Sequence, residues 1–277
     1  MERSVLMIDA GYLFAQGGQS TYGTRSRNEL SVDAAAFLEA LTPLVANHSG
    51  LPLLRTYWYD GARHGIPTQD HLDIAQLPYL KLRLGRLNSR NQQKGVDALI
   101  YRDLMTLAAE RSVAQAYLLS GDDDLREGVI YAQDRGVRVI IIGIRDQHGN
   151  SSQSRQLQYE ADEVMTLDQT IVSRSIWCDS QENPSQFAET SRDIDELVRV
   201  VANEFASSWK DAATDSARAA LLAEYPRIPV YLDAELIRAC EDSLGFSLRP
   251  SSNQYLKRSA RRVFWSNIRE KSIDPGE

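Results

Sequence analysis

Two cysteines, Cys178 and Cys240, are all that the 277 residues carry, and neither has a partner at CxxC or Cys/His spacing. That excludes a disulfide scaffold and a locally written zinc site, and it fits a reducing compartment. The four histidines, His48, His64, His71 and His148, are scattered without metal spacing and read as surface or loop residues. Gly17-Gly18 lacks the spacing of a phosphate-cradling loop. No apolar run approaches the length of a membrane span. The short apolar stretch behind Met1-Glu2-Arg3-Ser4 reaches Asp9 too soon for a signal peptide. A cytoplasmic protein with no membrane contact is expected. Basic residues are also in deficit, 31 against 38 acidic ones for a net charge of -7. Nucleic-acid binders are usually basic, so the sum counts mildly against that class.

The deficit is uneven. Residues 249–271 hold Arg249, Lys257, Arg258, Arg261, Arg262, Arg269 and Lys271 against Glu270 alone. With 43% hydrophobic and 25% charged residues, the chain has material for one large domain or two ordinary ones. Val5-Leu6-Met7-Ile8 reads as a strand buried on both faces. Further strands are expected over 53–59, 82–87, 116–119, 137–142 and 164–167. Helices are expected from Ser31 through Leu44, over 69–80, 96–109, from Asp122 or Asp123 to Gly136, and over 151–161. Ala15–Asn28 reads as a long polar connection, either a substrate loop or an insertion. Alternating strands and helices predict a mainly parallel, doubly wound α/β sheet over 1–174. Residues 175–192 read as a linker, and 193–277 as a smaller, mostly helical module in which a helix-turn-helix or winged arrangement stays open.

Ligands of open α/β sheets bind beyond the carboxyl ends of the strands. Asp9 ends the first strand, Ser120-Gly121-Asp122-Asp123-Asp124 follows another, and Asp97 opens the helix after the polar loop 88–95. Each alone is explained by helix capping. Together they form a carboxylate cluster whose mutual repulsion is relieved by a hard divalent ion, which activates water for attack on a phosphodiester. One or two ions fit. Lys94 reads as a steadying or phosphate-contacting cation and Ser120 as a ligand contact, while Asp103 lies on another helix face. In the last helix, Lys257, Arg258, Arg261 and Arg262 share i, i+3, i+4 spacing and read as a phosphate-contacting face.

Ile8-Asp9-Ala10-Gly11-Tyr12-Leu13, Lys94-Gly95-Val96-Asp97 with Asp103-Leu104, Leu118 through Leu125, Gly136-Val137-Arg138-Val139 and Leu157 through Val164 resemble, in order, the NYN family of the PIN-like nuclease superfamily. The resemblance implies a PIN-like three-layer α/β/α sandwich, Mg²⁺ or Mn²⁺, and endoribonuclease activity. It puts the metal-site and catalytic acids at Asp9, Asp97, Asp122 and Asp124, with Asp123 at the variable position and Asp162 a weaker candidate that caps or braces the edge. Tyr12 stands where many relatives have Asn, and a base-stacking role is the alternative for it. The partner implied is RNA, whether tRNA or mRNA, with DNA not excluded and a homo-oligomer open. Two alternatives remain: a non-catalytic RNA-binding or regulatory protein of the same fold, and a phosphatase-type enzyme using the same acids.

Overall fold

The computed structural model describes residues 2–63, 65–87, 93–146, 148–178, 189–225, 228–248 and 254–269. In chain order the first unit holds β1 (Ser4–Asp9), α1 (Ala10–Tyr22), β2 (Leu30–Val32), α2 (Ala34–Ser49), β3 (Leu53–Arg63), α3 (Gln69–Ala75), β4 (Leu80–Leu87) and β5 (Gln93–Lys94). It continues with α4 (Val96–Ala109), β6 (Gln115–Leu119), α5 (Arg126–Gln133), β7 (Arg138–Gly143), α6 (Arg155–Glu160), β8 (Glu163–Thr166), α7 (Gln169–Ser175) and β9 (Ile176–Cys178). The main sheet runs β5-β4-β3-β1-β6-β7-β8. Only the two-residue β5 is antiparallel within it.

Strand parity builds two cores. Leu6, Ile8, Trp58, Tyr117, Leu119, Ile140 and Ile142 face α1, α2 and α7. Val5, Met7, Tyr57, Tyr59, Ala116, Leu118, Val139 and Ile141 face α4 and α5. Strands covered on both faces must be apolar at every position, which is why β1 and β7 are continuous hydrophobic runs. The α/β/α sandwich with a mainly parallel sheet is thus present. The sheet grows outward from β1 in both directions, so its winding reverses between β1 and β6.

Three expectations change. Residues 15–22 are not a loop: α1 continues to Tyr22 and ends on Gly23, whose φ of 71° is left-handed. Polar side chains masked this helix, and small residues permit it. A Cβ on Gly17 would lie 2.0 Å from Ile176 Cδ1, and one on Gly18 2.2 Å from Leu30 Cδ1. The glycine pair therefore serves packing, because it lets the antiparallel β2–β9 ribbon seat against α1. That ribbon also moves the expected boundary at 174: Ile176–Cys178 belongs to the first unit, which spans Met1–Asn183. Of the expected linker, 179–188 lie outside the described residues, as do 88–92 of the polar loop. His71 is no surface residue either, being 4% exposed on α3.

The second unit, Pro184–Glu277, contains α8 (Glu189–Ala212), α9 (Asp215–Ala223), α10 (Val230–Leu244) and α11 (Gln254–Arg269). Among its described residues there is no strand and hence no wing. Its core joins Val198, Ala202, Leu232, Leu236, Leu256, Ala260 and Phe264.

The expected basic face of α11 is only half realised. The helix packs against both α8 and α10, so a second line, Arg258, Arg261, Trp265 and Ile268, is buried beside the first. Arg261 forms a two-bond pair with Asp233, Nε to Oδ1 at 2.7 Å and Nη2 to Oδ2 at 2.9 Å. Arg258 is 8% exposed. Neither is placed to meet a phosphate, while Lys257 and Arg262 are half-buried. A sequence stripe shows one apolar face of a helix and cannot show that a second neighbour covers the polar flank. Removing one member of a buried ion pair strands the other charge. Arg261→Ala is expected to destabilise the helical unit by about 3 kcal/mol, with a smaller loss in Asp233→Leu/Arg261→Met, as measured by urea unfolding.

Candidate functional site

In doubly wound sheets the crevice at the reversal point is the usual ligand site. Here it is flanked by the ends of β1 and β6, which carry Asp9 and Ser120-Gly121-Asp122. Asp9 is 7% exposed and caps α1: Oδ1 accepts from Tyr12 N at 3.2 Å, and Oδ2 accepts from Ser120 Oγ at 3.2 Å. Burial, with the charges of Asp97 and Asp60 added, raises its pKa from 3.8 to about 6, against the opposing pull of those two hydrogen bonds.

Asp97 stands in the first turn of α4, set by Gly95 at φ 81°. Burial raises its pKa, and the charges of Asp122 and Asp124 raise it further. Asp122 caps a short 3-10 turn over Asp123–Leu125, with Oδ1 accepting from Asp124 N at 3.0 Å. Asp122 and Asp124 are exposed. Three segments distant in sequence thus share one electrostatic field. Among the described residues no Lys, Arg or His forms an ion pair with any of these four acids; the side chain of Lys94 lies outside them.

Two substrate-contact expectations change. Ser120 is fully buried, and its Oγ is engaged between Asp9 and Asp122 N. It positions acids and cannot touch a substrate. Tyr12 does not offer its ring for stacking. Its hydroxyl accepts from Ile144 N at 3.1 Å, and its ring covers Gly121, where a Cβ would lie 2.7 Å from Cε2. Tyr12 ties α1 to the end of β7. Asp123 accepts from Ser154 Oγ at 2.5 Å, Asp162 accepts from Val139 N at 2.7 Å, and Asp103 binds Arg83 and Arg102. All three brace the scaffold.

Two residues were missed in the sequence. Gln153, 6% exposed, donates from Nε2 to the Ser120 and Ile142 carbonyls at 2.8 and 3.1 Å, stitching β6 to β7 where they diverge. Nothing in Ser151-Ser152-Gln153-Ser154 signals this. Asp60, 2% exposed, follows the apolar run of β3 as Asp9 follows that of β1, and the same rule would have found it. Burial would raise Asp60, yet Arg27 Nη2 at 2.6 Å and His71 Nε2 at 3.1 Å hold it below its ordinary value. Thr68 N donates to His71 Nδ1, so Nε2 carries the proton given to Asp60. Asp60 is thereby ion-paired with Arg27, whereas none of the other four acids meets a protein cation among the described residues.

Among the described residues no three His, Cys, Asp or Glu side chains converge tightly enough to hold a metal ion directly. The donor set is all carboxylate and mutually repelling. It fits a hard ion that keeps several waters and is held directly by one or two carboxylates, as Mg²⁺ prefers.

Against this geometry stand the similarities to known proteins. The sequence matches the NYN domain over residues 3–168 and the RspA-like C-terminal domain over residues 160–272. The chain belongs to the NYN domain family, which is generally nuclease-like, and carries an RspA-like C-terminal domain. It is similar to the uncharacterized protein y4oD of Sinorhizobium fredii, 32% identical over 214 residues that cover 73% of this chain and 95% of that one. A protein of unknown function from Vibrio parahaemolyticus has a solved structure with a TM-score of 0.41 at 18% identity, covering 60% of this chain and 94% of that one. No helix among the described residues is long and apolar enough to cross a membrane.

A raised folded-state pKa means that Asp9 favours folding most fully below about pH 4, where it is neutral in both states. That contribution is lost as pH rises through about 6. Asp9→Asn is therefore expected to stabilise the metal-free protein at pH 8 by up to about 3 kcal/mol, the value of two pKa units, with the gain vanishing near pH 4. Denaturant melts across that range check it. Gly121→Ala drives a methyl into Tyr12 and is expected to cost about 1–3 kcal/mol, read in the same melts.

Proposed function

We propose that this chain is a divalent-metal-dependent endoribonuclease that hydrolyses phosphodiester bonds at Asp9, Asp97, Asp122 and Asp124. The observation that carries the reading is the coupling of these acids at the reversal point without a protein cation among the described residues. Mg²⁺ or Mn²⁺ at these carboxylates supplies charge neutralisation and an activated water. The chain's own part is positioning. Tyr12 N and Ser120 Oγ fix both oxygens of Asp9, and the cap at Asp122 fixes the turn that presents Asp124. Gln153 ties the start of that turn to β7 through the Ser120 and Ile142 carbonyls, and the Tyr12 ring packs on Gly121 within it. Family membership supports a nucleic-acid substrate; the form we infer is RNA, tRNA or mRNA, with DNA as the alternative, and a reducing cytoplasm is the compartment in which it would act.

One observation favours a second reading, a non-catalytic RNA-binding regulator: no three-ligand cage is preformed among the described residues. Incubation of purified protein with labelled RNA separates the two. The nuclease reading expects internal cleavage with Mg²⁺ or Mn²⁺, abolished by chelation and by Asp122→Asn. Ser120→Ala should lower the rate roughly tenfold to a hundredfold through misplaced acids. RNA left intact with either ion, or equal cleavage by Asp122→Asn, contradicts the proposal.

A further inference from the structure

An acidic chain whose last helix buries Arg258 and Arg261 needs another surface to hold a polyanion. We propose that the face of β3, β4 and α4 formed by Arg55, Lys81, Arg83 and Arg102 binds the phosphate backbone of a single RNA strand and leads it to the acidic edge. This rests on the nucleic-acid reading of that edge.

The sheet register assembles the surface. Tyr57 pairs with Lys81 and Tyr59 with Arg83, and in-register residues of parallel strands point to one side. Tyr57 and Tyr59 belong to the α4-side core, so Lys81 and Arg83 lie on that side too. Arg55, two residues before Tyr57, has its guanidinium carbon 6.0 Å from the Tyr57 ring, and that of Arg83 is 5.2 Å away. The two tyrosines stack at 6.0 Å, giving the cations a stiff floor.

Asp103 fixes the remaining geometry. Its Oδ2 accepts from Arg83 Nε at 2.8 Å and from the Tyr59 hydroxyl at 3.2 Å, and its Oδ1 accepts from Arg102 Nη2 at 3.1 Å. One buried carboxylate thus aligns two guanidinium groups. Their side chains stay 35% and 59% exposed, and Lys81 is exposed as well. Arginines oriented in this way present planar forks that suit phosphate oxygens.

Continuity with the acidic edge comes from the same register. Asp9 pairs with Tyr59, and Tyr59 with Arg83. Arg83 therefore lies level with Asp9 two strands away, about 10 Å at ordinary strand spacing. Arg102 follows Asp97 by five residues, about 7.5 Å along α4 and about 140° around it. Tyr59, between Arg83 and Asp9 in the sheet, is fully buried, so a backbone leaving this face rounds the N-terminal turn of α4 to reach the acids. The four cations come from three sequence segments, so no local charge run betrays them.

The test uses the full-length protein and a fluorescein-labelled single-stranded oligouridine, with binding read by anisotropy in EDTA across a salt series. Lys81→Glu/Arg102→Glu is expected to weaken binding by about tenfold or more and to lower the salt slope by about 1.4, or 0.7 per lost phosphate contact. The charge-matched Arg135→Glu/Arg138→Glu, at the start of β7 and the opposite sheet edge, is expected to change affinity by less than about twofold. Lys81→Gln/Arg102→Gln should shift the slope in the same direction, which guards against misfolding of the charge-reversed variant. If wild type binds and cleaves RNA while the Lys81/Arg102 variants keep its affinity and slope, this surface is wrong and the nuclease proposal stands. Equal weakening by both charge-reversed pairs also overturns it. Loss of binding confined to the Lys81/Arg102 variants, in a wild type that cuts no RNA with either metal, supports the surface and sinks catalysis instead. A wild type that binds no oligouridine overturns the surface.

Discussion

Like charge held at the point where the sheet changes its winding direction is the constraint on which the rest depends. Asp9 cannot leave, because it caps α1 and is buried against Ser120. Asp97 cannot leave, because it sits in the first turn of α4. The turn after β6 brings Asp122 and Asp124 into the same field. Burial raises Asp9 and Asp97, and neighbouring carboxylates raise both further. Such an arrangement opposes folding at neutral pH and is relieved by a cation. Asp60 shows the contrast within one sheet edge: also buried, it is neutralised by Arg27 and accepts a hydrogen bond from His71.

Holding that charge in place takes a scaffold of uncharged contacts. Gln153 bridges the carbonyls of Ser120 and Ile142, the Tyr12 hydroxyl accepts from Ile144 N, and Gly121 leaves room for the Tyr12 ring. These groups link α1, β6 and β7 around the acidic edge. Their value is positional: a shift of any one moves Asp9 or the Asp122 turn relative to α4.

Much of this was legible in the sequence, for identifiable reasons. Strands buried on both faces write themselves as unbroken apolar runs, so β1, β6 and β7 stand out, together with the acids that end β1 and follow β6. Helix α4 was placed at 96–109 by its apolar spacing, and it is found at Val96–Ala109. Helix α1 was hidden because Gln16, Gly17, Gly18 and Ser20 are buried in place of large apolar groups. The roles of Ser120 and Tyr12 are not legible in the sequence because a hydroxyl's partner is a matter of three-dimensional neighbours: Asp9 is 111 residues from Ser120, and Ile144 is 132 from Tyr12. The basic face of α11 failed for a related reason. Burial of Arg261 against Asp233 depends on a second helix that a stripe of cations cannot announce. The cations of β3, β4 and α4 stayed unseen because register, and not sequence proximity, assembles them.

Anomalous diffraction from crystals soaked in Mn²⁺ tests the central claim most directly. The account predicts a peak at the carboxyl end of β1 and β6, bonded to one or two of Asp9, Asp97, Asp122 and Asp124 and completed by waters. That peak should be absent from Asp97→Asn crystals grown in the same way. Full Mn²⁺ occupancy elsewhere on the molecule with none at this edge, or an undiminished peak in Asp97→Asn, would contradict it.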